Sequence, residues 1–237
     1  MAAKPFQFKQ FMVYHDRVTH KVGTDGVLLG AWVNLWEEDT LILDIGTGSG
    51  LIALMLAQRT SRETRIDAVE IEAVDAGQAR ENVLRSPWRD RISIHHVPVQ
   101  QFQPDQPYAL IVSNPPYFVK SLPPSDERRS LARHTDQLSF EDLLSSVVRL
   151  LAKNGRLAVI LPYAEALDFL RLAGAHGLFP VRKTGFRSRG SKPVERLLLE
   201  LAYEGALASG DELVLYSRGN GWSEEYKSLT RDFYINI

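Results

Sequence analysis

The sequence lacks cysteine altogether among its 237 residues. This absence excludes disulfide bonds, zinc–thiolate centres and cysteine nucleophiles. The six histidines show no metal-ligand spacing, so we expect no metal site. The chain also lacks an apolar run long enough to cross a membrane, and its first residues do not resemble a signal peptide. We therefore expect a cytoplasmic protein with no membrane partner.

Excess charge of either sign is also lacking, because 28 Lys and Arg side chains nearly balance 29 Asp and Glu side chains. Overall charge thus gives no indication of a nucleic-acid partner. Local charge is more informative, since residues 181–192 contain five cations and no acid. Such a run is more often the solvated face of a hairpin than a binding surface for an anion. Both interpretations stay open at this point.

A short stiff loop carries the strongest functional signal. Residues 108–112 are apolar and predict a buried strand, which stops because two consecutive prolines cannot continue a ladder. Ligands bind at this end of the strands in an open α/β sheet. The amide oxygen of Asn114 and the Pro115 carbonyl suit the N–H groups of a planar amine, whose ring could stack on Tyr117. A plain proline-rich turn is the alternative. The predicted catalytic residues are Asn114, Pro115, Pro116 and Tyr117.

A glycine-rich loop upstream predicts a nucleotide-type cofactor. Residues 40–44 read as a buried strand ending in Asp44, and an apolar helix follows the loop. The spacing is G-x-G-x-G, whereas a dinucleotide fold uses G-x-G-x-x-G. Asp44 would repel a pyrophosphate but suits a positively charged amino-acid head, and Glu70 at the next strand end suits a ribose. We expect S-adenosylmethionine, held by Asp44, Gly46, Gly48, Gly50 and Glu70.

Residues 1–37 lack a clear period and predict an N-terminal extension, packed on the cofactor and substrate side of a domain spanning residues 38–237. Its aromatic first half reads as a short strand pair or a flap. Its second half reads as a loop entering a short helix, with Thr24 or Asp25 as N-cap. The functional alternative is a loop laid over the cofactor, so Thr24 and Asp25 count as candidate cofactor contacts.

Strands and helices alternate along most of the chain, which predicts a doubly wound, mostly parallel α/β sheet. Ser139 reads as the start of a capped helix that Asn154 and Gly155 end. Two strands follow each other directly near residues 178–184 and 195–203, so a C-terminal antiparallel hairpin carries the basic run. Residues 223–234 predict a short helix capped by Ser223.

These motifs resemble known enzymes. Residues 44–50 (DIGTGSG) are similar to the first motif of class I methyltransferases. Residues 114–117 (NPPY) are similar to the motif of amino-methyltransferases acting on adenine, guanine or a glutamine amide. Residues 21–32, 133–134 and 225–234 resemble the bacterial tRNA1(Val) (adenine-N6)-methyltransferase family. The resemblance covers nearly the whole chain and implies a Rossmann-like seven-stranded sheet, with the last strand antiparallel. It also implies methylation of the N6 amine of adenine 37, just 3′ of the anticodon.

The resemblance also implies how cofactor and tRNA are held. Many class I enzymes bind the cofactor's adenine amine with an acid after the third strand, but this chain has Gln100 there, so Gln100 or a backbone group would substitute. Because net charge is near zero, attraction to tRNA must be local. The candidate RNA-binding cations are Arg128, Arg129, Arg133, Arg182, Lys183, Arg187, Arg189 and Lys192.

Other functions fit the same motifs. The chain could be an N-methyltransferase of a release-factor glutamine or of another RNA base. It could also be a non-catalytic nucleic-acid-binding module that keeps the fold. We expect a monomeric tRNA (adenine-N6)-methyltransferase.

Overall fold

The computed structural model describes residues 4–19, 21–116, 138–206, 210–217, 219 and 221–236. Within them lie a two-stranded sheet and an eight-stranded sheet. The strands are β1 (Phe6–Gln7), β2 (Met12–Val13), β3 (Leu41–Ile45), β4 (Arg65–Glu70), β5 (Ile92–His96), β6 (Tyr108–Ser113), β7 (Leu151–Pro162), β8 (Phe179–Arg189), β9 (Arg196–Ala202) and β10 (Asp211–Tyr216). The α-helices are α1 (Thr24–Trp32), α2 (Leu51–Arg59), α3 (Ala73–Leu84), α4 (Phe140–Leu150), α5 (Tyr163–Ala175) and α6 (Glu224–Thr230), and Val99–Gln101 form a 3₁₀ turn.

The large sheet has the strand order β10-β8-β9-β7-β6-β3-β4-β5. Each neighbouring pair is parallel except where β9 meets β7 and β8, which it pairs with antiparallel. This confirms the predicted doubly wound, mostly parallel sheet with a C-terminal antiparallel hairpin. In the described part of the chain it has one strand more than the seven expected, because β10 adds to the edge beside β8.

Successive residues of the central strands enter two different cores. In β3, Ile42 packs with residues of α1 and α2, such as Leu28 and Leu54. Its neighbour Leu43 packs on the opposite face with Leu143 of α4 and Phe169 of α5. A strand covered by helices on both faces must be apolar throughout, which explains the continuous hydrophobic runs in the sequence.

The N-terminal residues pack against the C-terminal tail. β1 and β2 pair antiparallel, which confirms a short strand pair. The Lys9 N–H donates to the Phe233 carbonyl at 2.8 Å, and the Phe8 and Tyr234 rings stack at 5.9 Å. α6 begins as predicted, since the Ser223 hydroxyl accepts from the Tyr226 N–H at 3.0 Å. Both ends of the chain thus join one aromatic cluster.

Two predicted helix boundaries are wrong. Gly23 is the N-cap of α1 and makes no side-chain cap bond, while Thr24 and Asp25 are the first two helical residues. Ser139 is the N-cap of α4 as predicted, but the helix ends at Leu150, four residues before the expected stop at Asn154. Leu151 is already extended, with ψ of 133°, so the chain passes from helix to strand without a glycine cap. Leu151, whose spacing fits the apolar face of the helix, is therefore the first residue of β7.

Candidate active site

The carboxyl ends of β3, β4 and β6 form one edge of the sheet. Ile45 pairs with Val69 on one side and with Ser113 on the other. The Ser113 hydroxyl donates to the Ile45 carbonyl at 2.9 Å, which ties the end of β6 to β3. The glycine loop follows β3, Glu70 ends β4, and the loop at Asn114 follows β6. The sheet therefore brings these predicted site residues together.

The glycine loop has a backbone that other residues rarely adopt. Gly46, Gly48 and Gly50 have φ angles of +72°, +55° and +82°. A side-chain carbon at Gly46 or Gly48 would meet no atom within 4 Å, so this part of the loop faces open space. At Gly50 the same carbon would lie 3.5 Å from the Ala79 Cβ, where α2 approaches α3. The loop can therefore accept a ligand directly against its backbone.

Asp44 is fully buried beneath this loop. Its Oδ2 accepts from the Thr47 hydroxyl at 2.6 Å and from the Ala53 N–H at 3.2 Å. Its Oδ1 has no hydrogen-bond partner among the described residues. Burial raises the pKa of Asp44 to about 7, against the opposing effect of the two donors. An unpartnered buried carboxylate oxygen is costly unless a cationic or N–H group binds it, so this atom fits the ammonium head of the expected cofactor.

Glu70 is 8% exposed at the end of β4. One carboxylate oxygen accepts from the Gly48 N–H at 2.9 Å and the other from the Glu72 N–H at 3.0 Å. Burial raises the pKa of Glu70, and the nearby charge of Asp75 adds to this. Each oxygen keeps a lone pair, so the side chain can still accept the two hydroxyls of a ribose.

Sequence reasoning missed Ile71, which follows Glu70 directly. Its apolar side chain is 47% exposed at the edge of the site. An exposed branched side chain beside the carboxylate that could bind a ribose offers an apolar surface on which a flat base can pack. The signal was present in the sequence as an apolar residue immediately after a strand-end carboxylate.

The proline-rich loop after β6 adjoins the first turn of α1. Asn114 is half-buried, Pro115 is buried and Pro116 is exposed, while Tyr117 lies outside the described residues. A side-chain carbon at Gly26 would lie 3.0 Å from Leu51 Cδ2 and 4.0 Å from Asn114 Nδ2. Helix α1 thus comes close to both motif loops because residue 26 is glycine.

An ion pair fixes this end of α1. The Asp25 carboxylate accepts from the Arg196 guanidinium at 2.9 Å. Arg196 begins β9 opposite Pro162, the last residue of β7, at the same edge of the sheet. Thr24 and Asp25 therefore border the site, although the charge of Asp25 also serves this pairing.

Gln100 lies exposed in the turn after β5. This turn is held by Arg149 of α4, which donates to the Phe102 carbonyl at 2.7 Å and the Val99 carbonyl at 2.8 Å. The side chain of Gln100 is therefore presented on a fixed backbone. Its role toward a cofactor stays a prediction.

The predicted RNA-binding cations occupy different places. Arg128, Arg129 and Arg133 lie outside the described residues. Arg182, in the middle of β8, packs inward: its guanidinium lies 4.1 Å from the Trp32 ring centre and 3.5 Å from Glu200. Lys183 is half-buried beside it.

The remaining cations surround the turn between β8 and β9. Arg187 pairs with Glu212 at 2.5 Å and donates to the Lys192 carbonyl at 2.9 Å. Arg189 donates to the Gly219 carbonyl at 2.6 Å. Since β8 runs parallel to β7, this turn lies at the same edge of the sheet as Asn114.

Among the described residues, no three His, Cys, Asp or Glu side chains are grouped as metal ligands would be. The helices described there are all too short or too polar to span a bilayer.

Comparison with known proteins agrees with this geometry. A predicted O-methyltransferase from Agrobacterium tumefaciens shares the fold, with a TM-score of 0.67 at 18% identity over 90% of this chain and 100% of that one. The glycopeptide N-methyltransferase MtfA, solved with S-adenosyl-L-methionine, gives 0.56 at 14% identity over 78% of this chain and 100% of the other. The family model for the methyltransferase small domain matches residues 27–168. Fold and site thus define a methyltransferase.

Two relatives narrow this class. A tRNA1(Val) (adenine(37)-N6)-methyltransferase from Bacteroides thetaiotaomicron is 44% identical over 237 residues, covering 100% of both chains. One from Yersinia pseudotuberculosis is 45% identical over 233 residues, covering 98% of this chain and 92% of its own. The chain belongs to the tRNA1(Val) (adenine(37)-N6)-methyltransferase family.

Proposed function

We propose that this chain transfers a methyl group from S-adenosylmethionine to the N6 amine of adenine 37 in tRNA1(Val). The observation that carries the proposal is the position of Asn114 and Pro115 beside Asp44 and Glu70, on adjoining strand ends. An acceptor loop for an amine and a cradle for the methyl donor then meet at one edge. The names of the full-length relatives support the choice of substrate.

The described residues fit the methyl donor. The unpartnered Oδ1 of Asp44 would accept its ammonium group, and Glu70 would accept the ribose hydroxyls. Ile71 would pack on the adenine ring, and Gln100 would meet the edge of that ring. Thr24 and Asp25 border the methionine end from α1. When bound, this cofactor supplies a sulfonium-activated methyl group, and the protein's residues bind and orient the acceptor.

The amine needs acceptors that strengthen as it reacts. The lone pair of an adenine amine is delocalised into the ring, which makes the nitrogen a weak nucleophile. We infer that the Asn114 side-chain oxygen and the Pro115 carbonyl each accept one N–H. As the nitrogen becomes tetrahedral and positively charged, both acceptors bind it more tightly, which stabilises the transition state over the ground state. The charged nitrogen then loses its proton to water.

The RNA is proposed to lie along the edge that carries Asn114. Arg187, Arg189 and Lys192 surround the turn at this edge and would contact the phosphates of the anticodon arm. Arg128, Arg129 and Arg133 would act from the segment after the catalytic loop. Arg182 does not belong to this surface, because its guanidinium packs on Trp32. The target base lies in a single-stranded loop, so little unstacking is needed.

We further propose that residues 1–37 act as an extension on the cofactor and substrate side of the domain spanning residues 38–237. The protein would act as a monomer in the cytoplasm, where its tRNA is found.

An acceptor assay tests the proposal. Purified protein is incubated with methyl-labelled S-adenosylmethionine and either total bacterial tRNA, a release factor or neither, with Asn114→Ala as the inactive control. The proposal expects label in tRNA alone, lost in the variant. Label in the release factor would establish glutamine methylation instead, and label in neither would favour the non-catalytic binding module.

A further inference from the structure

The N-terminal strap, residues 14–19, lies along one face of α3. Its backbone N–H groups at Tyr14 and Thr19 donate to Asn82 Oδ1 at 2.9 Å and Asp75 Oδ1 at 3.1 Å. Between them Arg17 donates to the Gln78 side chain at 3.2 Å. The three partners are spaced three and four residues apart and so share one face of the helix. All three are buried, which is unusual for polar residues of a helix that would otherwise face solvent.

Asn82 also reaches the glycine loop. Its Nδ2 donates to the Tyr14 carbonyl at 2.9 Å and to the Ser49 carbonyl at 2.8 Å, while its Oδ1 accepts from the Tyr14 N–H. Ser49 stands between Gly48 and Gly50. One fully buried carboxamide therefore binds the strap with two bonds and the cofactor loop with a third.

The strap in turn determines where the chain enters α1. The Val22 N–H donates to His15 Nδ1 at 3.0 Å, which folds the residues after the strap back onto it. They continue into the first turn of α1, where Gly26 adjoins Leu51 and Asn114.

We propose that Asn82 is a positioning residue that couples the strap to the cofactor loop. Its bond to Ser49 keeps the glycine loop in its ligand-accepting shape only while the strap is docked. Cofactor binding must then stabilise the docked strap by the same factor by which the docked strap strengthens cofactor binding. This inference rests on the cofactor part of the proposed function and is independent of the RNA.

Limited proteolysis measures the coupling without any methyl transfer. Trypsin cleavage after Arg17 requires the strap to leave α3, since Val18 is only 9% exposed there. The intact chain is digested with increasing S-adenosylhomocysteine, and cleavage after Arg17 is followed by mass spectrometry. We expect the ligand to slow this cleavage, with half-saturation at its Kd from calorimetry. A rate that stays constant through saturation would overturn the proposal, and this wild-type measurement needs no variant to fold.

An isosteric variant separates hydrogen bonding from packing. Asn82→Asp keeps the side-chain shape but loses both N–H donors and places a carboxylate oxygen beside two carbonyls. Loss of these two hydrogen bonds should speed cleavage after Arg17 by about tenfold or more. It should also raise the Kd for S-adenosylhomocysteine by about tenfold or more. Val83→Ala is the matched control, because Val83 is buried on the same helix but packs in the core; its Kd should stay within about twofold of wild type. Wild-type Kd in Asn82→Asp would overturn the proposal.

These outcomes are distinct from a failure of the proposed substrate. A chain that binds S-adenosylhomocysteine and shows the coupling, but methylates no tRNA, would retain the role of Asn82 and lose the RNA assignment. The reverse result, tRNA methylation with an uncoupled strap, would leave the function standing and remove only this inference.

Discussion

Replacing Asp44 by Asn should make the ligand-free protein more stable at pH 8 while weakening its hold on the cofactor. The carboxylate is fully buried, and only one of its oxygens has partners among the described residues. An asparagine can keep its Oδ1 on the Thr47 hydroxyl and the Ala53 N–H. Its NH₂ group then replaces the unpartnered oxygen, so the buried charge disappears without losing either hydrogen bond.

The magnitude follows from the pKa of Asp44. Burial raises it from 3.8 to about 7, and each unit corresponds to about 1.4 kcal/mol, which sets an upper bound of about 4 kcal/mol. Because the folded-state pKa is raised, the protonated carboxyl's contribution is fully present below pH 3.8 and is lost as pH rises through 7. The advantage of Asp44→Asn over wild type should therefore grow between about pH 4 and 7 and level off above it.

Urea unfolding and thermal unfolding of the ligand-free protein at pH 5 and pH 8 test this. A gain of only about 1 kcal/mol would raise the melting temperature by roughly 2–4 °C in a chain of this size. Asp90→Asn is the control, since that side chain is 89% exposed and its loss should not matter. A variant less stable than wild type at pH 8, or an advantage independent of pH, would refute the account of a charge buried for a ligand.

Three other predictions concern the site. S-adenosylhomocysteine affinity should fall by up to about tenfold per pH unit below pH 7, because protonated Asp44 cannot pair with an ammonium; calorimetry at pH 6 and 8 should show this slope vanish in Asp44→Asn. Asn114→Ala should lower kcat about a hundredfold or more at saturating tRNA with the cofactor Kd unchanged, and near-normal single-turnover rates would exclude the acceptor role. The double variant Arg187→Ala with Arg189→Ala should weaken tRNA binding and reduce the slope of log affinity against log salt concentration by roughly 0.7–0.9 per lost phosphate contact. Arg182→Ala should instead lower the stability of the protein and leave that slope unchanged.

The strand-end residues were predictable because local pattern and topology agree at them. Asp44, Glu70 and Asn114 each lie at or next to a predicted strand end, and parallel strands place their carboxyl ends on one edge. The glycine loop and the proline-rich loop can therefore be predicted without knowledge of distant contacts. The same holds for the capped helix after Ser223, whose signal lies within one turn.

Other features depend on contacts that no local pattern contains. Arg182 belongs to a basic run that reads as solvated, yet it donates to the carbonyl of Trp32, 150 positions away. Nothing in the local sequence singles out Asn82, and its partner Tyr14 lies 68 positions upstream. In both cases a polar side chain binds a segment far away in the sequence, and composition and periodicity do not predict such tertiary contacts.

Position-resolved nucleoside analysis is the most direct test that this site methylates one amine of one nucleotide. An unmodified tRNA1(Val) transcript is treated with protein and S-adenosylmethionine, cut into oligonucleotides and examined by mass spectrometry, beside a transcript with guanine at position 37. We predict N6-methyladenosine at position 37 of the first transcript and unmodified RNA in the second. Methylation at another position, or equal incorporation into both transcripts, would contradict the account.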